Sequence, residues 1–386
     1  MLEGDTLSIL EQLIAFQTVS RDSNLDLIDA AEAYLTGVGA RCRRTYDAGG
    51  RKANLLASFG DGEGGIVFSG HTDVVPIDGQ DWATDPFVMT IDGDRAYGRG
   101  VADMKGFIAV VLAAAPGMAN SGRPFHIALS YDEEVGCLGA PALVADLVAA
   151  GLKPSGCVIG EPTGMRPIVG HKGAAAYAVE VRGLAVHSSL APQGVNAIYY
   201  AARVLERLRQ MGEALKAEEP RDDGYDVPYS TISPGVITGG AATNIVPEHC
   251  TFRFDLRHLP GTRPETLVEE LRRWSRDTLE PEMREVSAQP GITIRRLGVV
   301  PAFQADRSDP FIRRVERACA SNGAPAYVAF GTEAGIFQEA GVPTIVCGPG
   351  HIEQAHKPDE FVDLNQLTLC EAFVAHLIGA EENTGA

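Results

Sequence analysis

The chain has few basic residues for its length, and it contains no apolar run long enough to cross a membrane. Its 386 residues include 33 lysines and arginines and 51 aspartates and glutamates, which gives a formal net charge of −18. This excess of negative charge would be repelled by phosphate backbones and by anionic lipids, so nucleic-acid binding and membrane binding are disfavoured. The longest apolar run, 107–116, has about half of the roughly 20 residues that a membrane-spanning helix needs.

Other sequence signals are also missing. The seven cysteines are scattered and none belongs to a Cys-x-x-Cys pair, which argues against a disulfide framework and against a thiolate zinc site. The first residues lack a basic stretch followed by an apolar run, so no signal peptide is expected and a cytoplasmic protein is predicted. The glycine pair at 98 and 100 lacks the third glycine of a dinucleotide fingerprint, which argues against a nicotinamide-dependent oxidoreductase.

Hydrophobic periodicity predicts an α/β protein with an inserted domain. Up to about residue 173, helices alternate with the apolar strands 54–59, 66–69, 125–131 and 157–160, which is typical of a mostly parallel sheet covered on both faces. The segment 174–300 has the order strand, helix, strand, strand, helix, strand, which indicates a two-layer α+β unit. From 301 to 386 the alternating pattern returns, with helices predicted over 310–321 and 364–378. We therefore predict one domain formed by 1–173 and 301–386, with 174–300 inserted.

Polar clusters follow the predicted strands or begin a predicted helix. In open α/β sheets, ligands bind at the carboxyl ends of the strands, so the clusters are expected to converge there. Their sequences are SGHTD at 69–73, GRGVADMKG at 98–106, DEE at 132–134, GEP at 160–162, and GPGH at 348–351 followed by AH at 355–356.

The residue types in these clusters point to a metal centre. Histidines and several carboxylates without thiolates suit zinc, cobalt or manganese better than calcium. The carboxylates are too many for one zinc ion with an open position, and they fit two cations that share a bridging carboxylate. His71 and Asp73 are two residues apart, so Asp73 is expected to hold the second imidazole nitrogen of His71. Glu133 and Glu134 are adjacent, so one of them can bind metal while the other acts as a general base.

Together, the clusters resemble those of the zinc-dependent amidohydrolase and aminopeptidase family that contains acetylornithine deacetylase, succinyl-diaminopimelate desuccinylase, aminoacylase and glutamate carboxypeptidase. The resemblance extends nearly end to end and includes HTDVVP at 71–76, YGRG at 97–100, DMKGFI at 103–108, YDEEVGC at 131–137 and AHKPDE at 355–360. It implies that 1–173 and 301–386 form a zinc-aminopeptidase-like catalytic domain. It also implies that 174–300 is a ferredoxin-like dimerisation or lid domain, and that the protein is a homodimer.

The resemblance implies a ligand set for two divalent cations, zinc by preference and cobalt as an alternative. One cation would be held by His71 and Glu161, and the other by Glu134 and His356. Asp103 would bridge the two. The family also has a cis peptide bond after the bridging aspartate, which is expected here between residues 103 and 104.

The resemblance further implies the catalytic and substrate-binding residues. Glu133 falls on the family's general base, and Asp73 falls on the residue that orients the metal-binding histidine. His187 falls on a histidine that, in relatives, reaches the active site of the partner subunit and stabilises the oxyanion. Asn244 and Arg257 fall on positions that contact the substrate.

Several of these stretches are most similar to the deacetylase branch of the family. That similarity implies removal of the acetyl group from N2-acetyl-L-ornithine to give L-ornithine and acetate, a step of arginine biosynthesis. Arg257 suits the substrate carboxylate because of its planar fork of donors. Glu333 is expected to meet the side-chain ammonium, although it is alternatively a carboxylate that interacts with a helix start.

Other functions stay open at this point. A succinyl-diaminopimelate desuccinylase must hold an additional carboxylate, which Glu333 near the pocket would oppose, and a broader N-acyl-amino-acid amidohydrolase is a further alternative. A non-catalytic homologue that binds a metal or an amino acid is disfavoured, because the candidate ligands and the base are all present. The expected partner is therefore a small N-acyl amino acid.

Overall fold

The computed structural model describes residues 2–319 and 325–379. Contacts divide the chain into two compact units: unit 1 combines Met1–Gly170, Phe303–Tyr327 and Thr332–Ala386, and unit 2 combines His171–Ala302 and Val328–Gly331. The predicted boundaries, after residues 173 and 300, lie three and two residues from these divisions. The short return of 328–331 to unit 2 has no counterpart in the prediction. Residues 320–321 of the predicted helix 310–321 lie outside the described residues, as do 380–386.

The helices and strands follow the order below. The helices are α1 (Thr6–Ile14), α2 (Leu25–Gly37), α3 (Lys105–Asn120), α4 (Ala140–Ala149), α5 (Ala197–Glu218), α6 (Pro264–Trp274), α7 (Glu280–Val286), α8 (Pro310–Ala318), α9 (Ala334–Glu339) and α10 (Leu364–Gly379). The strands are β1 (Arg41–Tyr46), β2 (Ala53–Phe59), β3 (Ile66–His71), β4 (Thr90–Asp92), β5 (Arg95–Tyr97), β6 (Phe125–Ser130), β7 (Gly156–Ile159), β8 (Ile168–His171), β9 (Gly173–Arg182), β10 (Thr231–Gly239), β11 (His249–His258), β12 (Gly291–Val300), β13 (Phe303–Gln304), β14 (Ala326–Val328), β15 (Thr344–Val346) and β16 (Phe361–Asp363).

The large sheet of unit 1 is parallel at its centre and antiparallel at its flanks. Its strand order is β1-β2-β6-β3-β7-β15-β8-β13, with β14 paired to β8. Strands β6, β3, β7 and β15 are parallel neighbours. They are buried along their whole length, as expected for strands covered on both faces. The antiparallel strand β1 was not predicted, because its sequence RCRRTY has three arginines and little apolar signal.

Helix α3 fills the centre of unit 1 on one side of this sheet. It is buried along its first half, and it packs against α1 and α10. The side chain of Lys105 at its start is fully buried, and its Nζ donates to the carbonyls of Leu13 at 3.0 Å and Phe16 at 2.7 Å, at the end of α1. The peptide bond between Asp103 and Met104, directly before α3, is cis as expected. None of the helices in the described residues is both long and apolar enough to span a bilayer.

Unit 2 is an antiparallel sheet with helices on one face. Its strand order is β10-β11-β9-β12, and every neighbouring pair is antiparallel. Alternate residues of β11 are buried, and they form a core with the apolar stripes of α5 and α6. The predicted order of strands and helices is therefore found. The second helix of this order continues from α6 through a π-helical turn, Ser275–Leu279, into α7.

Candidate dinuclear metal centre

Four of the five polar clusters lie where the parallel strands of unit 1 end, and the fifth, at 98–106, follows β5 and leads into α3. His71 is the last residue of β3, and its register partner is Ser130 at the end of β6. Glu161 follows β7, and the segment that carries His356 follows β15, the parallel neighbour of β7. Because parallel strands end at the same edge, these side chains are brought together from distant parts of the chain.

Asp103 is the central side chain of the cluster, since its two carboxylate oxygens face different histidines. Its Oδ1 lies 3.0 Å from Nε2 of His71, and its Oδ2 lies 3.1 Å from Nε2 of His356. Glu161 adds an oxygen 3.9 Å from His71 Nε2, and Glu134 adds one 3.1 Å from His356 Nε2. The five predicted ligands therefore form two histidine–carboxylate sets that share Asp103.

The donor atoms of this cluster fit divalent cations. Within the described residues, ligand atoms of His71, Glu133 and Glu161 lie within 4.8 Å of one another, and so do those of His71, Asp103 and Glu134. Oε1 of Glu134 and Oε1 of Glu161 are buried without a hydrogen-bond partner in the structure. Buried carboxylate oxygens are costly when unpaired, and a coordinated cation would satisfy them. Imidazole and carboxylate donors without sulfur suit zinc and its neighbours.

The buried carboxylates and histidines of the cluster shift one another's pKa values. Burial raises the pKa of Glu161 well above its ordinary value and also raises the pKa of Glu134. The hydrogen bond to Asp103 raises the pKa of His356 to about 10. Burial lowers the pKa of His71, but Asp103 and the surrounding carboxylates outweigh it and hold that pKa well above the ordinary value. The buried carboxylates thus raise the pKa of the histidines and of one another, which is the electrostatic setting that favours bound cations.

Asp73 lies behind His71 and connects the metal-binding segments. Its backbone carbonyl, rather than its carboxylate, accepts the hydrogen bond from Nδ1 of His71 at 2.9 Å, and its Oδ1 lies 3.7 Å from that nitrogen. The carboxylate instead accepts from the backbone N–H groups of Glu133 at 3.1 Å and Glu134 at 3.4 Å, and from the hydroxyl of Ser20 at 2.7 Å. Asp73 therefore fixes the acidic turn as well as the histidine.

Glu133 has the environment that a general base needs. Burial, together with neighbouring carboxylates, raises its pKa to about 8. The thiol of Cys137 donates to its Oε1 at 3.4 Å. The residue before it, Asp132, has φ +57° and forms an ion pair with the buried Lys52, which holds the turn in a left-handed conformation.

Glu333 lies in the interior of unit 1, beside the metal cluster. Only 1% of its surface is exposed, at the residue before α9. Burial raises its pKa to about 7, while the hydroxyls of Ser130 and Ser69 lower it. A contact with a substrate ammonium, as expected from the sequence, would therefore require this carboxylate to become exposed.

Two of the expected substrate-contacting residues lie together in unit 2. His187 is exposed, and its segment pairs with that of Asn244: Ile245 forms a bridge to His187, and Ser188 N–H donates to the Asn244 carbonyl at 2.9 Å. Nδ1 of His187 accepts the backbone N–H of Ser189 at 3.2 Å. A ring nitrogen that accepts carries no proton, so in the neutral imidazole Nε2 is the donor.

Arg257 lies at the other end of the same sheet. It lies near the end of β11, where it pairs with Ala174 of β9. His249, at the start of β11, pairs with Arg182, which lies just before the His187 segment. Eight residues of extended chain separate His249 from Arg257, which is roughly 27 Å at about 3.4 Å per residue. The Nε of Arg257 donates to Asp255 at 2.8 Å, and the Arg257 guanidinium has four further N–H donors.

Three polar residues that support the ligands have no role in the sequence prediction: Gln80, Arg99 and Glu360. Arg99 and Glu360 are each only 1% exposed, and Arg99 Nη1 donates to Glu360 Oε2 at 2.6 Å. Both occur in segments that carry the family resemblance. Their place in YGRG at 97–100 and AHKPDE at 355–360 was the one available signal, and it did not reveal that the two residues contact each other.

Comparisons with known proteins agree with this geometry. The family model for peptidase family M20/M25/M40 matches residues 67–380. The acetylornithine deacetylase of Myxococcus xanthus is 37% identical over 393 residues, which cover 97% of this chain and 98% of that protein. Among solved structures, the aminopeptidase PepT of Bacillus cereus has a TM-score of 0.73 at 19% identity and covers 97% of both chains. A dinuclear metal-binding M20 peptidase of Bacillus subtilis has a TM-score of 0.67 at 14% identity, covering 97% of this chain and 96% of that one.

The chain belongs to the M20 family of metallopeptidases and related hydrolases. It is a metal-dependent hydrolase, and its deacetylase relatives support hydrolysis of an amide bond. The expected class of fold, a catalytic α/β domain with a separate α+β domain, is confirmed by the M20 structures that match nearly the whole chain.

Proposed function

We propose that this enzyme hydrolyses N2-acetyl-L-ornithine to L-ornithine and acetate, with two divalent cations bound at the Asp103 cluster. The observation that carries the proposal is the arrangement of two histidine–carboxylate sets around one shared aspartate, with Glu133 beside them. The similarity over 97% of the chain to a protein named acetylornithine deacetylase supports the choice of substrate.

His71 and Glu161 would hold one cation, and Glu134 and His356 would hold the other. Asp103 would contribute to both sites. Zinc is the cation that these donors favour, and cobalt is an alternative with the same preference for imidazole and carboxylate. Two such cations would supply Lewis-acid chemistry at the acyl carbonyl and would lower the pKa of the attacking water.

Glu133 moves the protons of the reaction. Its carboxylate accepts a proton from the attacking water and then delivers that proton to the departing amine. Asp73 holds the backbone of Glu133 and of its neighbour Glu134, so the base and the adjacent ligand keep a fixed relation. A raised pKa is what this role demands, because a base of ordinary acidity would return the proton poorly to an amine.

His187 would stabilise the oxyanion by donating from Nε2, the nitrogen that the Ser189 contact leaves protonated. Arg257 would bind the α-carboxylate of the substrate. Arg257 lies near the end of β11, whereas the His187 segment follows β9, whose last residue pairs with the start of β11. The stretch of β11 from residue 249 to residue 257 spans roughly 27 Å by strand rise, which exceeds the length of a small acyl amino acid. One copy therefore cannot apply both to one substrate molecule, and a second copy would supply His187.

The surface of unit 2 supports such a homodimer. β10 is an edge strand of its sheet, and its Val236 and Ile237 are 59% and 56% exposed. Tyr199 at the start of α5 is 71% exposed. An exposed apolar edge is a ready template for pairing with a second chain.

A substrate panel tests the proposed function. The metal-free protein is reconstituted with zinc, and hydrolysis is followed with N2-acetyl-L-ornithine, N-succinyl-diaminopimelate and several neutral N-acetyl amino acids. We expect the highest kcat/KM with N2-acetyl-L-ornithine and none without metal. A preference for the succinyl substrate, or equal rates with neutral N-acetyl amino acids, would instead identify a desuccinylase or a broad amidohydrolase.

A further inference from the structure

A buried carboxylate organises the backbone of the segment that carries Asp103. Oε1 of Glu360 accepts three backbone N–H groups: Gly100 at 3.1 Å, Ala102 at 3.0 Å and Asp103 at 3.2 Å. Its other oxygen accepts from Arg99 Nη1 at 2.6 Å. The loop that carries Asp103 is therefore held by hydrogen bonds to the carboxylate of Glu360, a residue distant from it in the sequence.

The same set of contacts extends to the second histidine. Gln80 Oε1 accepts from Arg99 Nη2 at 2.6 Å and from Trp82 Nε1 at 3.0 Å. Its amide nitrogen donates to the backbone carbonyl of His356 at 3.0 Å. His356 itself has φ +64°, a backbone conformation that a non-glycine residue adopts only when its surroundings hold it there.

We propose that Arg99, Glu360 and Gln80 form a clamp that fixes Asp103 relative to His356, and that this clamp sets the affinity of the cation site those two residues share. The inference rests on the proposed dinuclear centre. Side chains that support metal ligands typically change metal affinity about 10–100-fold when they are removed. The clamp residues are thus positioning residues, since they act through the backbone of two ligands.

Burial makes the clamp rigid. Arg99 and Glu360 are 1% exposed each, so their charge-assisted hydrogen bonds do not compete with water. The side chain of His356, in contrast, is 49% exposed. A half-exposed ligand on a loop depends on its backbone for orientation, which is what the contact with Gln80 provides.

A second ion pair joins the same two stretches of chain and serves as a matched control. Arg95 Nε donates to Asp363 at 2.9 Å and connects β5 with β16, with side chains 44% and 30% exposed. This pair makes no hydrogen bond to residues 100–103 or to His356 in the described structure. If the clamp merely held the chain segments together, loss of the Arg95 pair would have a comparable effect.

The test measures cobalt binding to metal-free protein, by calorimetry and by the visible absorption of the bound Co²⁺. The variants are Glu360→Gln, Gln80→Ala and, as control, Arg95→Gln. We expect the first two to weaken one of the two binding events about 10–100-fold and to alter its absorption bands. Arg95→Gln should leave both binding events and the spectrum as in the wild type.

Wild-type affinities and spectra in both Glu360→Gln and Gln80→Ala would overturn the clamp. Circular dichroism checks the fold, and if Glu360→Gln does not fold, Gln80→Ala decides alone, because it removes a neutral and partly exposed side chain. Binding of fewer than two cobalt ions by the wild type would refute the dinuclear centre itself. Two normal binding events without hydrolysis of N2-acetyl-L-ornithine would refute only the substrate, and the clamp would stand.

Discussion

Glu133 and Glu134 are neighbours in the chain, yet they meet different partners. Glu134 Oε2 lies 3.1 Å from Nε2 of His356, in the metal cluster, whereas Glu133 is in contact with the thiol of Cys137. The backbone N–H groups of both donate to the same carboxylate, that of Asp73. One turn thus directs Glu134 toward His356 and Glu133 toward His71 and Glu161, and the two roles can be separated by mutation.

Glu133→Gln should abolish most activity without removing the metal. The amide cannot accept a proton, and the loss of a general base typically costs about 10²–10⁴ in rate. Metal content and hydrolysis of N2-acetyl-L-ornithine are measured side by side. Glu134→Gln is the matched control, because it should lose metal as well as activity. Turnover by Glu133→Gln within about tenfold of the wild type would remove this residue from the mechanism.

Glu333 should make the metal-free protein less stable as the pH rises. Its pKa is about 7 in the folded protein against 4.5 for the ordinary side chain, so between these values the folded state binds more protons than the unfolded state. Stability therefore falls across that window, by on the order of 3 kcal/mol for this group. Glu333→Gln removes the titration, so its stability relative to the wild type should increase from about pH 5 to about pH 8.

Urea unfolding at the two pH values measures this effect. Glu339→Gln, an exposed carboxylate on the same helix α9, is the control and should show the same pH dependence as the wild type. A constant difference between Glu333→Gln and the wild type at both pH values would contradict the burial of a titrating carboxylate.

At the scale of elements, the sequence was most informative where the signal was local. Short apolar runs predicted β3, β6 and β7, and the polar residues at or after their ends include the expected ligands His71, Glu134 and Glu161. The small sheet β16-β5-β4 was missed, because its strands are three residues long and pair residues 90–97 with 361–363. The clamp was missed for the same reason: a contact between Glu360 and Gly100 has no periodicity along the chain.

Gly160→Ala tests how closely a ligand segment packs against a helix. A Cβ at Gly160 would lie 2.0 Å from ring carbons of Phe107 on α3, so the segment that leads to Glu161 must shift. We expect a destabilisation of about 1–3 kcal/mol, as for overpacking in a core, and weaker metal binding.

The control for this substitution is Gly117→Ala, which lies on α3 itself and where a Cβ would meet no atom within 4 Å. Thermal unfolding and metal titration compare the two variants. If Gly160→Ala binds two cations with wild-type affinity, the close packing of this segment is not what positions Glu161.

At the scale of the whole molecule, the ligands span the chain from His71 to His356, and unit 2 is inserted between Glu161 and His356. Unit 2 therefore contributes none of the five expected metal ligands. It does carry His187, Asn244 and Arg257, and it exposes the apolar edge of β10. If His187 and Arg257 act on one substrate molecule as proposed, their separation within unit 2 favours a site that two copies share.

Mixing two inactive variants tests this sharing. If His187 acts on the partner's site, a heterodimer of His187→Ala and Glu133→Gln contains one site with an intact base and an intact histidine. Random exchange of subunits makes about half of the dimers heterodimers, each with one working site of two, so activity should recover to about a quarter of the wild type. Activity of each variant alone, and of the mixture before subunit exchange, provides the baseline. If His187 instead acts within its own chain, every site in the mixture lacks one of the two groups, and no activity returns after exchange.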